Sequence, residues 1–336
     1  MSSAPTAEQI ARDATWLAQA LDPSAGVVRL IAMDHDSYRA ASFLDDRIMQ
    51  LPVDAQLVPW TLVEEAITGD LRSDARWIFH IGHVGSTLVS RLLGEIAGVL
   101  ALREPRLLRD LALSPAEVRQ SYLAPVPKLM SRTFGPDEYA CVKATSFVSE
   151  IAPELVPPGA RALFMYANPR NYIASILAGE NSVKEQRMLA ASRAQRVDRR
   201  VPALPPARND AELAAFAWAC EMTALEAAAA AMPDREIHWA DFDRMLERMP
   251  EELGRAAEFF GFAADPQTIR STAEGPLMKR YSKALEYDYS AQLRRELIAE
   301  ASGQHRREIE DAIAILRSAA ANSPLLASAL ARAGGD

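Results

Sequence analysis

Cysteine is nearly absent from this chain: two residues in 336, Cys141 and Cys220. They lie far apart in different apolar contexts, with the spacing of neither a metal site nor a redox pair, so both read as reduced core thiols. Positive charge is also short. Lys and Arg number 37 against 45 Asp and Glu, a formal charge of -8, which argues against broad nucleic-acid binding and against docking on an acidic membrane surface. Any anion site must be local. The N-terminal MSSAPTAEQIARDATWLAQAL has acidic residues where a signal peptide needs cations, and no apolar run approaches the length of a membrane span. Cytoplasmic location is the expectation.

What the chain does have is apolar content, 49%, enough for one large domain with additions. Residues 1 to about 70 read as helical and strand-poor, so 1–75 is expected to be a mostly helical cap. Then apolar runs alternate with helical stretches: Trp77 to Ile81, GVLALREP, EYACVKATSF, ARALFMYANP and REIHWADF. Strand, helix, strand, helix implies a central parallel sheet with right-handed crossovers. The expected fold is α/β and three-layered, spanning 76–290, with a helical tail over 291–336. DAELAAFAWACEMTALEAAAAAM reads as a long helix starting at Asn209 or Asp210. The Arg-rich EQRMLAASRAQRVDRR could be a lid, a dimer contact or a solvated face, and the solvated face is favoured.

The chemistry concentrates in WIFHIGHVGSTLVSRLLGEIAGV. An apolar strand, a small polar loop and a helix follow one another, and converging backbone NH groups with the helix dipole make such a loop a phosphate cradle. It is not G-x-x-x-x-G-K-[ST]: Ser86 stands where the lysine would be and His80 where the first glycine would be. An ordinary magnesium nucleotidase is therefore unexpected. A dinucleotide fingerprint fails too, because G-x-G-x-x-G is not present. What is left, Gly82 to Thr87, suits a single phosphate held without an obligatory metal.

HVGST resembles the cofactor loop of the sulfotransferase superfamily, a P-loop-type fold whose bacterial members this chain is most similar to. KATSF, ALFMYANPRNYIASIL, IHWADFDRMLERMPEELGRAAEFFGF and LMKRYSK follow in the family's order, over roughly Arg76 to Tyr289. The resemblance implies sulfuryl transfer from 3'-phosphoadenosine 5'-phosphosulfate to a hydroxyl or amine, without a metal. Gly82, Val84, Gly85, Ser86 and Thr87 would hold the phosphosulfate end, and His83 stands where the family has a cation near the bridging oxygen. Glu104 resembles the glutamate that some bacterial members use as base, Thr145 standing where others carry a histidine. Lys143 would contact sulfate or substrate, or else pack its stem on the sheet. Ser175 matches a serine of the 3'-phosphate site, but its usual arginine partner is Ala167, so Arg170, Lys279, Arg280 and Lys283 would supply the cations. Tyr281 and Tyr287 could flank an adenine.

Three departures, at Ala167, Thr145 and His83, keep open a second reading: a nucleotide-binding homologue without turnover, acting as a sensor or partner module. A phosphotransferase using magnesium and ATP is a third, against which the missing loop lysine counts. The expected partners are a small-molecule or carbohydrate acceptor, no nucleic acid and no membrane span, with a homodimer left open.

Overall fold

In the computed structural model, residues 4–280 and 290–334 are described. Among them two sheets form. β1 (Trp16–Asp22), β2 (Val27–Ala32) and β3 (Ala55–Pro59) make an antiparallel sheet in that order. The strands β4 (Arg76–His80), β5 (Val99–Arg103), β6 (Tyr139–Lys143), β7 (Arg161–Tyr166) and β8 (Glu236–Asp241) make a parallel sheet, ordered β5-β6-β4-β7-β8.

The parallel sheet is as the alternating pattern predicts. Its inner strands are apolar almost throughout because helices cover both faces. Trp77, Ile78, Phe79, Val142, Leu163 and Phe164 have no solvent exposure, and Phe79 meets Phe164 edge to face at 5.7 Å. The order matters for function. After β4 the chain moves outward to β5 and back to β6 on one side, then to β7 and β8 on the other. A crevice opens at the carboxyl end of β4, where ligands of such sheets bind.

The N-terminal segment is not mostly helical. The expected helix over AEQIARDATWLAQAL is helical only over Ala7–Arg12, with a Thr6 capping box; Trp16–Asp22 is a strand. Residues 17–21 are all buried, and a strand covered on both faces reads from sequence like a buried helical segment. Helix Arg106–Leu113 packs on β1, and the Leu21 amide donates to its Asp110 at 3.0 Å.

Helix Asp210–Ala230 corrects a second expectation. Its length and composition would let it cross a membrane, yet it lies in the core: Trp218, Cys220 and Met222 have no exposure. Small alanines, rather than large apolar residues, give it this dual character. The Asn209 cap forms as expected, its side chain accepting from the Glu212 amide.

The Arg-rich stretch presents a solvated face, as expected, with Arg187, Ser192, Gln195 and Arg199 exposed, but its other face is turned inward. Helix Glu180–Val197 runs beside Asp210–Ala230, and Arg193, 3% exposed, donates to Glu221 and Gln186. Arg196 pairs with Glu150 and Glu221, and Arg200 with Glu150. The carboxylates that take these arginines inward belong to other elements, so the stretch alone could not reveal them. The tail is three helices, Ala291–Gln304, Arg306–Ala320 and Pro324–Arg332, and the first packs beside helix Pro169–Leu177.

Candidate functional site

The loop after β4 is built by an unusual backbone. Gly82, His83 and Gly85 have φ of 79°, 54° and 60°, a run of left-handed residues of the kind found where successive amides make a concavity suited to anions. His80, buried, fixes its entry. The Gly82 amide donates to His80 Nδ1 at 2.9 Å, so the ring proton sits on Nε2, which lies 3.0 Å from the Ala144 carbonyl. The residue standing where another loop has glycine thus ties β4 to the turn after β6.

Helix Ser86–Leu93 starts from Gly85 with no side-chain cap on its first amides. The hydroxyls of Ser86 and Thr87 make no hydrogen bond to the described residues and line a cavity of about 490 Å³. Uncapped amides and two spare hydroxyls at a helix N-terminus suit an anion. Gly85 is required twice over: its φ is left-handed, and a Cβ there would overlap the Phe242 ring.

The same cavity collects Glu104, Lys143, Thr145, Ser146, Ser175, Glu185, Arg280 and Arg294, together with Phe43 and Arg47. Glu104 follows β5 with φ 56°, a left-handed conformation that costs a non-glycine residue about 1–2 kcal/mol. Its amide donates to the Lys143 carbonyl at 2.7 Å. The Lys143 ammonium, wholly buried, donates to Glu104 Oε1, and Arg47 stands 3.5 Å from Oε2. Arg47 is itself held by Asp45 and lies over the Phe43 ring. A chain of alternating charge, Asp45, Arg47, Glu104, Lys143, therefore runs into the cavity wall. Lys143 is a carboxylate partner as well as a lining residue, and neither of its two expected roles included that.

His83 lines the cavity, but its Nε2 is 3.2 Å from Glu185 on helix Glu180–Val197. Val84, expected with the loop's binding residues, is fully buried and does not line the cavity. Ser175 is in place, its hydroxyl donating to the Tyr172 carbonyl at 2.8 Å. Arg170 is not: it pairs with Glu310 at 2.9 Å on the surface and does not line the cavity, a correction to its expected role. The reason lies in helix phase. Helix Pro169–Leu177 starts at Pro169, and its first exposed position faces the tail helix that carries Glu310. Lys279 is exposed outside the cavity lining, whereas Arg280 lines it. Lys283, Tyr281 and Tyr287 lie outside the described residues.

Position 167 explains its own departure. Ala167 is fully buried and its carbonyl accepts from Trp218 Nε1 at 2.9 Å; an arginine has no room there. Sequence reasoning missed Arg294, which lines the cavity from the tail. It lies over Phe242 at 5.1 Å, stands 3.4 Å from Asp243, and has a buried Nε without a partner. It missed Phe43, Arg47, Ser182 and Glu185 as well. Of these additions only Glu185 stood in a segment the sequence singled out, EQRMLAASRAQRVDRR, and Phe242, which also lines the cavity, ends the segment IHWADF.

Fold and site together define an α/β protein with a glycine-bearing loop at the switch point of a parallel sheet and a buried carboxylate–ammonium pair beside it. No protein-family model and no curated protein matches the sequence. Among solved structures the chain is similar to the sulfotransferase domain from the curacin biosynthetic pathway: 10% identity, 74% of this chain, 99% of that one, TM-score 0.44. It is also similar to mouse sulfotransferase SULT7A1 complexed with PAP, at 11% identity, 80% and 92% coverage and TM-score 0.41. A third is retinol dehydratase in complex with androsterone and inactive cofactor PAP, at 14%, 77% and 89%, with TM-score 0.34.

Proposed function

We propose that this protein is a sulfotransferase that moves a sulfuryl group from 3'-phosphoadenosine 5'-phosphosulfate to a hydroxyl or amine. The observation that carries the reading is the meeting, in one cavity, of the Gly82–Thr87 loop with Glu104 and Lys143. The donor's charges have fitting partners. Uncapped amides and the hydroxyls of Ser86 and Thr87 suit its phosphosulfate end, and Ser175, Arg280 and Arg294 suit the second phosphate in place of the arginine that Ala167 replaces.

When bound, the donor supplies an activated sulfuryl group on a phosphate leaving group. Glu104 receives the proton of the acceptor hydroxyl or amine as that atom becomes a nucleophile. Lys143 and Arg47 hold the carboxylate in one orientation, and the left-handed backbone at residue 104 turns it into the crevice. Loop amides stabilise the negative charge that gathers where phosphate is held, and they need no reorganisation to do so.

One observation favours a second reading, a binding module without turnover: both Glu104 oxygens already face cations. Titration calorimetry with 3'-phosphoadenosine 5'-phosphate, beside the analogue lacking the 3'-phosphate, tests binding first. Tight binding that weakens at least tenfold for the analogue is expected. An acceptor screen should then give turnover that Glu104→Gln lowers by about 10²–10⁴-fold while nucleotide affinity is kept. Binding without turnover on any acceptor would leave the module; no binding would remove both readings.

A further inference from the structure

Among the described residues, the carboxylates that line the main cavity are Glu104 and Glu185. They are placed differently. Glu104 sits against the buried Lys143 ammonium and near Arg47, so cations answer its charge. Glu185 comes from helix Glu180–Val197, and its Oε2 stands 3.2 Å from Nε2 of His83, in the loop that the proposed function gives to the donor's phosphosulfate end. The Glu185 side chain is 46% exposed and that of His83 15%.

The helix is seated so that it keeps this carboxylate in place. Gln186, the next residue, is 1% exposed and accepts from Arg193, which donates on to Glu221 of helix Asp210–Ala230. Arg196 closes on Glu221 and Glu150 as well. One turn before Glu185 the same helix face brings Ser182 to the cavity. Helix phase thus sets an acidic side chain beside the loop. A carboxylate in that place weakens the binding of an anion, and the penalty grows with the negative charge that the ligand brings there.

That dependence separates two kinds of donor. A sulfuryl end and a terminal phosphoryl end are both tetrahedral and nearly equal in size. A sulfate ester carries one negative charge, however, whereas a terminal phosphate, with a second pKa of about 6, carries two above neutral pH. Shape cannot tell them apart, but charge can, and discrimination of this kind needs an element that repels the wrong ligand. We propose that Glu185 is a specificity residue of the donor site, which disfavours nucleotides ending in a phosphoryl group and admits the sulfuryl donor. The inference rests on the sulfotransferase reading and adds to it the choice between two donors of one shape. His83 gains a part as well: facing the carboxylate, it holds it at the loop.

The test is titration calorimetry at about pH 8, without acceptor, using two ligands that differ only in the terminal group, 3'-phosphoadenosine 5'-phosphosulfate and 3'-phosphoadenosine 5'-diphosphate. The native chain should prefer the phosphosulfate. Glu185→Gln should narrow that preference about tenfold, chiefly by binding the diphosphate more tightly, the order expected of one charge acting on another across a partly solvated site. Glu180→Gln, which removes a carboxylate 83% exposed on the same helix, should leave the ratio unchanged. His83→Gln should weaken both ligands and keep the preference. Equal affinities in the native chain, a ratio that Glu185→Gln does not move, or a preference lost in His83→Gln instead would overturn the proposal and leave the sulfotransferase reading standing. Binding of neither ligand would overturn both.

Discussion

Replacing Gly85 by alanine tests the architecture of the loop at its tightest point. With φ at 60°, a Cβ costs about 1–2 kcal/mol of backbone strain. The new methyl would also overlap the Phe242 ring, which is 1% exposed and has little room to retreat; overpacking of this kind costs about 1–3 kcal/mol. The sum is about 2–5 kcal/mol. Gly82→Ala is the control, because its φ is 79° but the nearest atoms to its Cβ, on Ser146, are 3.9 Å away. Only the strain of about 1–2 kcal/mol applies there. Urea unfolding of the full chain measures both, read as midpoint shifts at constant slope. Phe242→Ala in the Gly85→Ala background should relieve the clash, with a coupling of about 0.5–3 kcal/mol. If the two glycine variants are equally stable, or if the cycle shows no coupling, the account of Gly85 as the seat of Phe242 is wrong.

Two further outcomes are expected. Glu221 is fully buried; burial alone would raise its pKa, but Arg196 and Arg193 hold it below its ordinary 4.5. A carboxylate depressed in the folded state stabilises above its unfolded pKa and loses that contribution as pH falls through the folded value, so the thermal stability gap between the native chain and Glu221→Gln should be full above about pH 5 and shrink on acidification below 4.5; a gap constant over that range would refute the assignment. Arg170→Ala breaks a surface pair worth about 0–1 kcal/mol and should leave affinity for 3'-phosphoadenosine 5'-phosphate unchanged by calorimetry. Arg294→Ala, by contrast, should weaken it about 10–100-fold, the worth of one charged hydrogen bond, and equal effects of the two would reverse these roles.

The parallel strands were legible because each is a short apolar run between helical stretches, a pattern that survives any detail of packing. The loop was legible because its glycines and hydroxyls are contiguous. Glu104 and Lys143 could be named as strand-end residues, but their ion pair could not, since β5 and β6 become neighbours only in the sheet. Arg170 failed for the opposite reason: proximity to the loop was inferred from sequence position, and helix phase turned it toward Glu310. In the N-terminal segment, burial on both faces erased the alternation that marks a strand.

Local spacing by itself therefore determined the element pattern of the sheet, the strand–loop–helix turn at Gly82–Thr87 and the Asn209 helix start, since each depends on residues within a few positions of one another. Only the tertiary structure decided which charges meet. Arg47 reaches Glu104, Arg294 covers Phe242, and Arg193 with Arg196 closes on Glu221. The physical reason is that a side chain's partner, and hence its charge state and reach, is set by residues far along the chain that the fold brings within a few ångströms.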